Sequence, residues 1–130
     1  MLQPNPSSAA TLIGDATRKR QLANAFKVYE SLIQSSQKPD AFVFGALINA
    51  CRKCGQPKKG LSLLSEMKQH PIRYDDFCFG SLVSACMETN DYQNAKNLLQ
   101  VWKVFYNYNY NYLCFIFNIF KFFNIFYFLF

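Results

Sequence analysis

The sequence predicts an all-α protein, a right-handed solenoid of about two and a half helical hairpins. Two observations lead to this prediction: the chain repeats itself at a step of 35 residues, and each copy contains two amphipathic helical patterns separated by residues that end helices. A single hairpin cannot bury the apolar stripes of both its helices, whereas stacking against the next hairpin does so. The repeat itself therefore indicates a stacked array.

Composition sets wide limits on function. The 130 residues carry a net charge of +6, from fourteen Lys and Arg against eight Asp and Glu, which permits contact with polyanions without requiring it. The five cysteines lie within apolar patterns, so we expect a reducing compartment and small buried side chains rather than a disulfide framework. No secretory signal peptide is visible in the sequence.

The repeat is clearest between two segments one step apart. Of the 24 residues from Ala41 to Leu64, eight return unchanged 35 positions later, beginning with Phe42 and Phe77, which is far more than chance would give. An earlier copy fits the same frame. The frame divides the chain into an N-terminal extension (1–5), two complete copies (6–40 and 41–75) and an incomplete third copy (76–104).

In the first copy, the apolar pair Leu12-Ile13 indicates the first helix, and Ala25 and Tyr29 indicate the second. The pair Pro39-Asp40 closes this copy, as Tyr74-Asp75 closes the next. The chain begins within the first helix of a repeat, and natural arrays have capped ends, so we expect a fragment of a longer array.

The second copy shows both helices most plainly. Its first stripe follows the i, i+3, i+4, i+7 spacing of one helix face and comprises Phe44, Leu47, Ile48 and Cys51. Gly55-Gln56-Pro57 ends this helix and starts the next, because glycine favours a helix end and proline suits a first turn. The second stripe comprises Gly60, Leu63, Leu64 and Met67. His70-Pro71 stops that helix, and the small residues Ala25, Gly60 and Ala95 would let paired helices approach closely.

Residues 105–130 have a different composition. Apart from Cys114 they are Phe, Tyr, Asn, Leu, Ile and Lys alone, all of which codons of A and T can encode, so we expect a translation artefact from AT-rich non-coding sequence. The alternatives are an aggregation-prone extension or a membrane segment, since the 19 residues of Tyr112–Phe130 are about long enough to span. Lys121, near the middle, would oppose insertion by about 2.5–3.5 kcal/mol.

The repeat resembles the P-type pentatricopeptide repeat family. Phe44–Cys51 and Leu63–Lys68 match the two helices of the family pattern, Ala25–Glu30 with Lys38-Pro39-Asp40 matches the end of a repeat, and the resemblance covers about residues 6–104. It implies single-stranded RNA binding in organellar RNA processing, stability, editing or translation, in a mitochondrion or plastid such as the chloroplast. The alternative is a protein-binding scaffold of the tetratricopeptide type, whose period is 34 residues.

In the pentatricopeptide family one repeat meets one RNA base, and the resemblance assigns the contacts to three positions of each repeat. The fifth positions are Ala10, Gly45 and Gly80, the last are Asp40 and Asp75, and the second are Ser7, Phe42 and Phe77. The family often has Asn, Thr or Ser at the fifth position. The small residues here therefore weaken any sharp base code.

The proposed contact residues also have chemical preferences of their own. An ionised carboxylate only accepts hydrogen bonds, so Asp40 and Asp75 would suit the N–H donors of uracil and guanine, a weak U/G leaning. The alternative role of both aspartates is to cap the following helix. Phe42 and Phe77 would stack on bases or else pack between hairpins.

The remaining candidates are basic residues, which could attract phosphates or form an ordinary solvated face. They are Arg18, Lys19, Arg20, Arg52, Lys53, Lys58, Lys59, Lys68 and Arg73. We expect no catalytic residue, cofactor or metal. Cys51 and Cys54 have the CxxC spacing of a zinc or redox site, yet no second such pair follows and His70 is the single histidine.

Overall fold

The computed structural model describes residues 5–72 and 76–105, with side chains for 5–72 and 78–101. This part of the chain contains six helices and no strand, which confirms the predicted all-α class. The helices are α1 (Pro6–Arg18), α2 (Leu22–Gln34), α3 (Ala41–Lys53), α4 (Pro57–Met67), α5 (Asp76–Glu88) and α6 (Tyr92–Phe105). Both the first and the second helix of each copy begin 35 residues after their predecessors, so the predicted repeat is confirmed.

The start of α1 is fixed by hydrogen bonds to its first turn. Asn5 Oδ1 accepts from the Ser8 amide at 2.8 Å, and Ser8 Oγ accepts from the Asn5 amide at 3.1 Å, so each residue satisfies a donor of the other. Pro6 occupies the first helical position, where its missing N–H costs nothing. The expectation that the chain begins inside this helix is therefore wrong: α1 is a complete helix of 13 residues, as long as α3 and α5.

Each hairpin turns at the same repeat position, in a left-handed residue. Arg20, Gly55 and Asn90 have φ of 54°, 65° and 59°. At Gly55 the amide bonds back to Arg52 O at 3.1 Å and the next amide, of Gln56, to Cys51 O at 2.8 Å, which satisfies the last carbonyls of the helix. The same pair of bonds recurs at the other two turns. A short turn of this kind folds the second helix back along the first.

The first helices α1, α3 and α5 lie side by side, and each packs against the second helix of its own hairpin. The predicted stripe of α3 is completely buried, and the predicted stripe of α4 is buried as well. The buried residues include Cys51, Cys78 and Cys86, as expected of small apolar side chains. The helix α4 ends at Met67, three residues before His70.

The close approach predicted at Gly60 involves the next hairpin. A Cβ at this position would lie 2.5 Å from Leu82 Cδ2 on α5, and 3.5 Å from Cys51 Cβ in the same hairpin. The tighter of the two contacts is therefore between hairpins. Because Gly60 has no side chain, Leu82 can pack closely against the preceding repeat.

Polar and aromatic side chains also link successive hairpins. The hydroxyl of Tyr29 in α2 donates to a carboxylate oxygen of Glu66 in α4, and Tyr29 is 6% exposed. Burial, followed by the nearby Glu66 carboxylate, raises the pKa of Tyr29 well above its ordinary value of 10.0. The Tyr29 ring lies 5.8 Å from that of Phe44. The second junction has the ion pair of Arg52 with Glu88, at 3.3 Å.

No helix within residues 5–72 and 76–105 has both the length and the apolar character needed to cross a bilayer. The prediction of a translation artefact or membrane segment concerns residues 105–130. All of these except Phe105 lie outside the described residues.

Candidate nucleic-acid interface

Asp40 is the N-cap of α3. Its Oδ1 accepts a hydrogen bond from the Val43 amide at 2.9 Å, and its side chain is partly exposed. The capping role that the sequence left open is therefore present for this residue. Capping occupies one carboxylate oxygen, and the described residues supply no hydrogen bond to the other. Asp75, the equivalent residue before α5, lies outside the described residues.

The second repeat positions stand on the first turns of the first helices. Phe42 is 79% exposed, so it does not pack between hairpins, whereas the neighbouring aromatic residue Phe44 is fully buried. Ser7 is exposed on the first turn of α1. Phe77 belongs to the first turn of α5, but its side chain lies outside the described set. The first turn of α3 thus presents one large apolar ring to solvent.

The fifth and ninth positions of a repeat lie on one face of its first helix, and we call this pair of positions the row of that helix. Ala10 and Gly80 are partly exposed, whereas Gly45 is buried. One turn further, at i+4 on the same helix face, stand Gly14 in α1 and Asn49 in α3. A Cβ added at Gly14 would have no neighbour within 4 Å, so the surface there is open.

The predicted basic residues separate into three groups. The first group lies at the C-terminal ends of α1 and α3 and comprises Arg18, Arg20 and Lys53. Arg52 and Lys59 are engaged elsewhere, the first with Glu88 at 3.3 Å and the second over the Phe26 ring at 5.9 Å. The exposed residues Lys19, Lys58 and Lys68 have no ion pair within the described part of the chain, and Arg73 lies outside it.

A cleft of about 330 Å³ opens between α1 and α3, and the three cationic residues of the first group line it. We call it the basic cleft, and its lining residues are Gly14, Thr17, Arg18, Arg20, Asn49 and Lys53. Arg18 also pairs with Asp15 in its own helix. The hydroxyl of Thr17 donates to Ile13 O at 2.8 Å, so its proton is already used.

The cations of the basic cleft were predicted from the sequence, whereas Gly14, Thr17 and Asn49 were not. The available signal was spacing: Gly14 and Asn49 follow the fifth positions by four residues, which places them on the same helix face. Their joint surface still depends on how α1 lies against α3. That relation is a tertiary one, which one helical pattern cannot reveal.

The cysteines form no metal site within the described residues, where no cluster of three His, Cys, Asp or Glu could hold an ion. Burial raises the pKa of Cys51 to about 12 and that of Cys86 to about 11. Thiols that stay protonated at neutral pH are poor nucleophiles and poor ligands. The buried cysteines therefore act as packing residues.

Part of the repeat matches a known protein family. The model of the pentatricopeptide repeat, described as "PPR repeat", matches residues 42–72, which include α3, the turn at Gly55 and α4. Residues 42–72 thus match the pattern of one pentatricopeptide repeat.

Nineteen chains of solved structures match the fold. One is the crystal structure of nuclear proteinaceous RNase P 2 from A. thaliana, with a TM-score of 0.69 and 16% sequence identity over 78% of this chain. The present chain spans 22% of the length of that protein, so the likeness concerns the helical architecture. The search of curated proteins found no match.

Proposed function

We propose that the pentatricopeptide repeats bind single-stranded RNA, with the first turns of α1 and α3 meeting the bases. The observation that carries this proposal is Phe42, whose side chain is 79% exposed on the first turn of a capped helix. Exposing a phenyl ring to water is unfavourable, and an unstacked base can cover it. Stacking of one base on such a ring contributes about 1–3 kcal/mol.

The residues that follow the first turns along α1 and α3 also support placing the bases at the first turns. In α1, the small residues Ala10 and Gly14 at the fifth and ninth repeat positions leave room for a base close to the helix backbone. Lys53 follows Gly45 by eight residues, about 12 Å along a helix axis. Bases would thus lie towards the N-terminal ends of the first helices, with phosphates towards the basic ends.

Asp40 gives the proposed interface its base preference. One carboxylate oxygen accepts the Val43 amide at 2.9 Å, and the second is available to accept from a base. Capping and base contact are therefore compatible in one side chain. Because a carboxylate accepts but does not donate, we expect a weak preference for uracil and guanine. Gly45, which has no side chain, adds no contact that would separate the two.

The cellular part of the proposal is an organellar role, in a mitochondrion or plastid, in RNA processing, stability, editing or translation. It is supported by the pentatricopeptide repeat alone. We propose binding without catalysis, as the resemblance to the pentatricopeptide repeat implies. Imaging of the tagged full-length product would test the compartment, and a nuclear or cytosolic signal would contradict it.

The binding experiment compares one RNA sequence as a single strand and as a duplex. Fluorescence anisotropy with the full chain should show preferential binding of the single strand, and affinity should fall as salt rises. Replacing Phe42 by Ala should raise Kd about 5- to 150-fold, the equivalent of losing one stacked base. The folded state should be unaffected, because the ring is exposed.

The matched control is Tyr92→Ala, which removes a 42% exposed aromatic side chain from α6, a second helix. It should leave RNA affinity unchanged. Equal losses for Phe42→Ala and Tyr92→Ala, or equal affinity for single strand and duplex, would refute the proposed interface. Absence of any RNA binding, together with capture of a helical peptide, would instead favour a protein-binding scaffold.

A further inference from the structure

The basic cleft differs from the equivalent place one repeat further on. Between α1 and α3 the lining includes Arg18, Arg20 and Lys53, of which Arg18 alone has an acidic partner among the described residues, namely Asp15. The basic cleft therefore holds more positive charge than one phosphodiester group requires.

Advancing each lining residue by 35 positions gives the corresponding set at the next junction. That set is Asn49, Arg52, Lys53, Gly55, Ser84 and Glu88. Here Glu88 pairs with Arg52 at 3.3 Å, and Gly55 stands where the first junction has Arg20. The concentration of cations is thus a property of one junction and not of the repeat. A strand contacting every repeat in the same way would not explain it.

Arg20 is the residue that most distinguishes the first junction. It has φ of 54° at the turn position that Gly55 occupies in the next hairpin with φ of 65°. A left-handed conformation is unfavourable for a residue with a Cβ, so glycine would be the better structural choice. The strained position instead carries an arginine that lines the cleft. Asn49 adds a side-chain amide able to donate a hydrogen bond.

We infer that the basic cleft binds a phosphate monoester, the terminal phosphate of an RNA strand. A terminal phosphate carries a charge of about −1.5 to −2 at neutral pH, against −1 for an internal diester. Three cations with one paired carboxylate match the larger charge, and arginine forks bind phosphate oxygens in pairs. This inference rests on the proposed RNA binding and assigns the end of the strand to the first hairpin.

Basic side chains near helix C-termini also offset the partial negative charge of the last carbonyls. A purely structural role for Arg20 therefore makes a different prediction from the inferred site. It predicts that removing the charge lowers the melting temperature and leaves the preference for strand ends unchanged. The variant Arg20→Gly separates the two roles, because glycine suits the left-handed turn.

The experiment uses the full chain and one oligoribonucleotide in three forms: with a 5′-phosphate, with a 3′-phosphate, or with hydroxyls at both ends. We expect one phosphorylated form to bind about tenfold more tightly than the hydroxyl form. The two phosphorylated forms reveal which end enters the cleft. Arg20→Gly and Lys53→Gln should abolish this ratio, with the melting temperature of Arg20→Gly unchanged or raised.

The matched control is Lys19→Gln, which removes the same charge from an exposed neighbour that does not line the cleft. It should weaken all three forms equally and preserve the ratio. Equal affinity for the three forms, or equal loss of the ratio in Lys19→Gln and Arg20→Gly, would overturn the inference.

The same assay separates this inference from the proposed function. Binding of the hydroxyl form tests RNA recognition, whereas the ratio between forms tests the cleft. If no form binds, thermal shifts with adenosine monophosphate and with adenosine decide the matter. A rise with the monophosphate that Arg20→Gly removes supports the cleft, and identical shifts with both ligands reject it.

Discussion

The helices α1 and α3 occupy the same place in successive repeats, and both bury one equivalent face, but α3 also buries a second face that α1 leaves exposed. In α3, which packs against α1 of the preceding hairpin, Val43, Leu47 and Ala50 are fully buried. Their counterparts in α1 are Ser8, Leu12 and Asp15, which are exposed or partly exposed, Leu12 by 49%. Burial at these positions therefore comes from the preceding hairpin. In a solenoid one residue type at one repeat position can contribute much or little to stability.

The largest expected effect compares the two equivalent leucines. Leu47→Ala should lower the free energy of unfolding by about 2–5 kcal/mol, since it leaves a cavity between hairpins. Leu12→Ala should change it by about 0.5 kcal/mol, because the side chain is half exposed already. Urea unfolding followed by circular dichroism measures both. Equal losses would show that α1 and α3 are not distinguished by their neighbours.

The next effect concerns the close contact of Gly60 with Leu82. Gly60→Ala gains about 1 kcal/mol of helix propensity but overpacks the junction at a cost of about 1–3 kcal/mol. We expect a net loss of about 1 kcal/mol. Shortening Leu82 to Ala in the same chain should remove the clash, so a double-mutant cycle should give a coupling of at least about 0.5 kcal/mol. Additive effects would contradict the contact.

A smaller effect compares the turns at Arg20 and Gly55. Gly55→Ala places a Cβ in the left-handed conformation and should cost about 1 kcal/mol. Arg20→Gly removes such a Cβ and should stabilise the fold by up to about 1 kcal/mol, less the greater entropy of the unfolded chain. Thermal unfolding of the two variants should therefore shift in opposite directions. Shifts of the same sign would show that the two turns are not equivalent.

The smallest effect is confined to alkaline solution. The pKa of Tyr29 is raised in the folded state, so its contribution to stability is complete below pH 10 and is lost as the pH rises towards the folded value. The stability of the native chain should fall more steeply above pH 10 than that of Tyr29→Phe. Tyr92→Phe, which removes a partly exposed hydroxyl, serves as the control for the substitution itself. If stability fell equally steeply with pH in the native protein and in Tyr29→Phe, the raised pKa of a buried Tyr29 would be contradicted.

Most of the fold could be predicted from local sequence patterns. The 35-residue step placed the starts of α3 and α5, Gly55 placed a turn, and the stripe of Phe44, Leu47, Ile48 and Cys51 is buried as predicted. These features depend on local propensity and periodicity. The frame of the first copy also begins at Pro6, where α1 starts, but the cap before that helix was missed because it uses Asn5 and Ser8, whose reciprocal bonds do not follow the commonest capping pattern.

Features that depend on two hairpins at once could not be predicted. The exposure of Leu12, the contact of Leu82 with Gly60 and the pairing of Arg52 with Glu88 all require the relative placement of neighbouring helices. The basic cleft belongs to the same class. Its cations were visible in the sequence, but the sequence did not reveal that Arg18 and Lys53 line the same cleft.

The central claim is that equivalent residues on successive first helices meet an RNA strand, and cross-linking tests it most directly. Photo-cross-linking of the full chain to thiouridine-substituted single-stranded RNA, followed by mass spectrometry, maps the contacts. We predict adducts on the first turns of α1 and α3, with Phe42 among them, and on the residues of the rows. Adducts confined to α2 and α4, the second helices, would contradict the account.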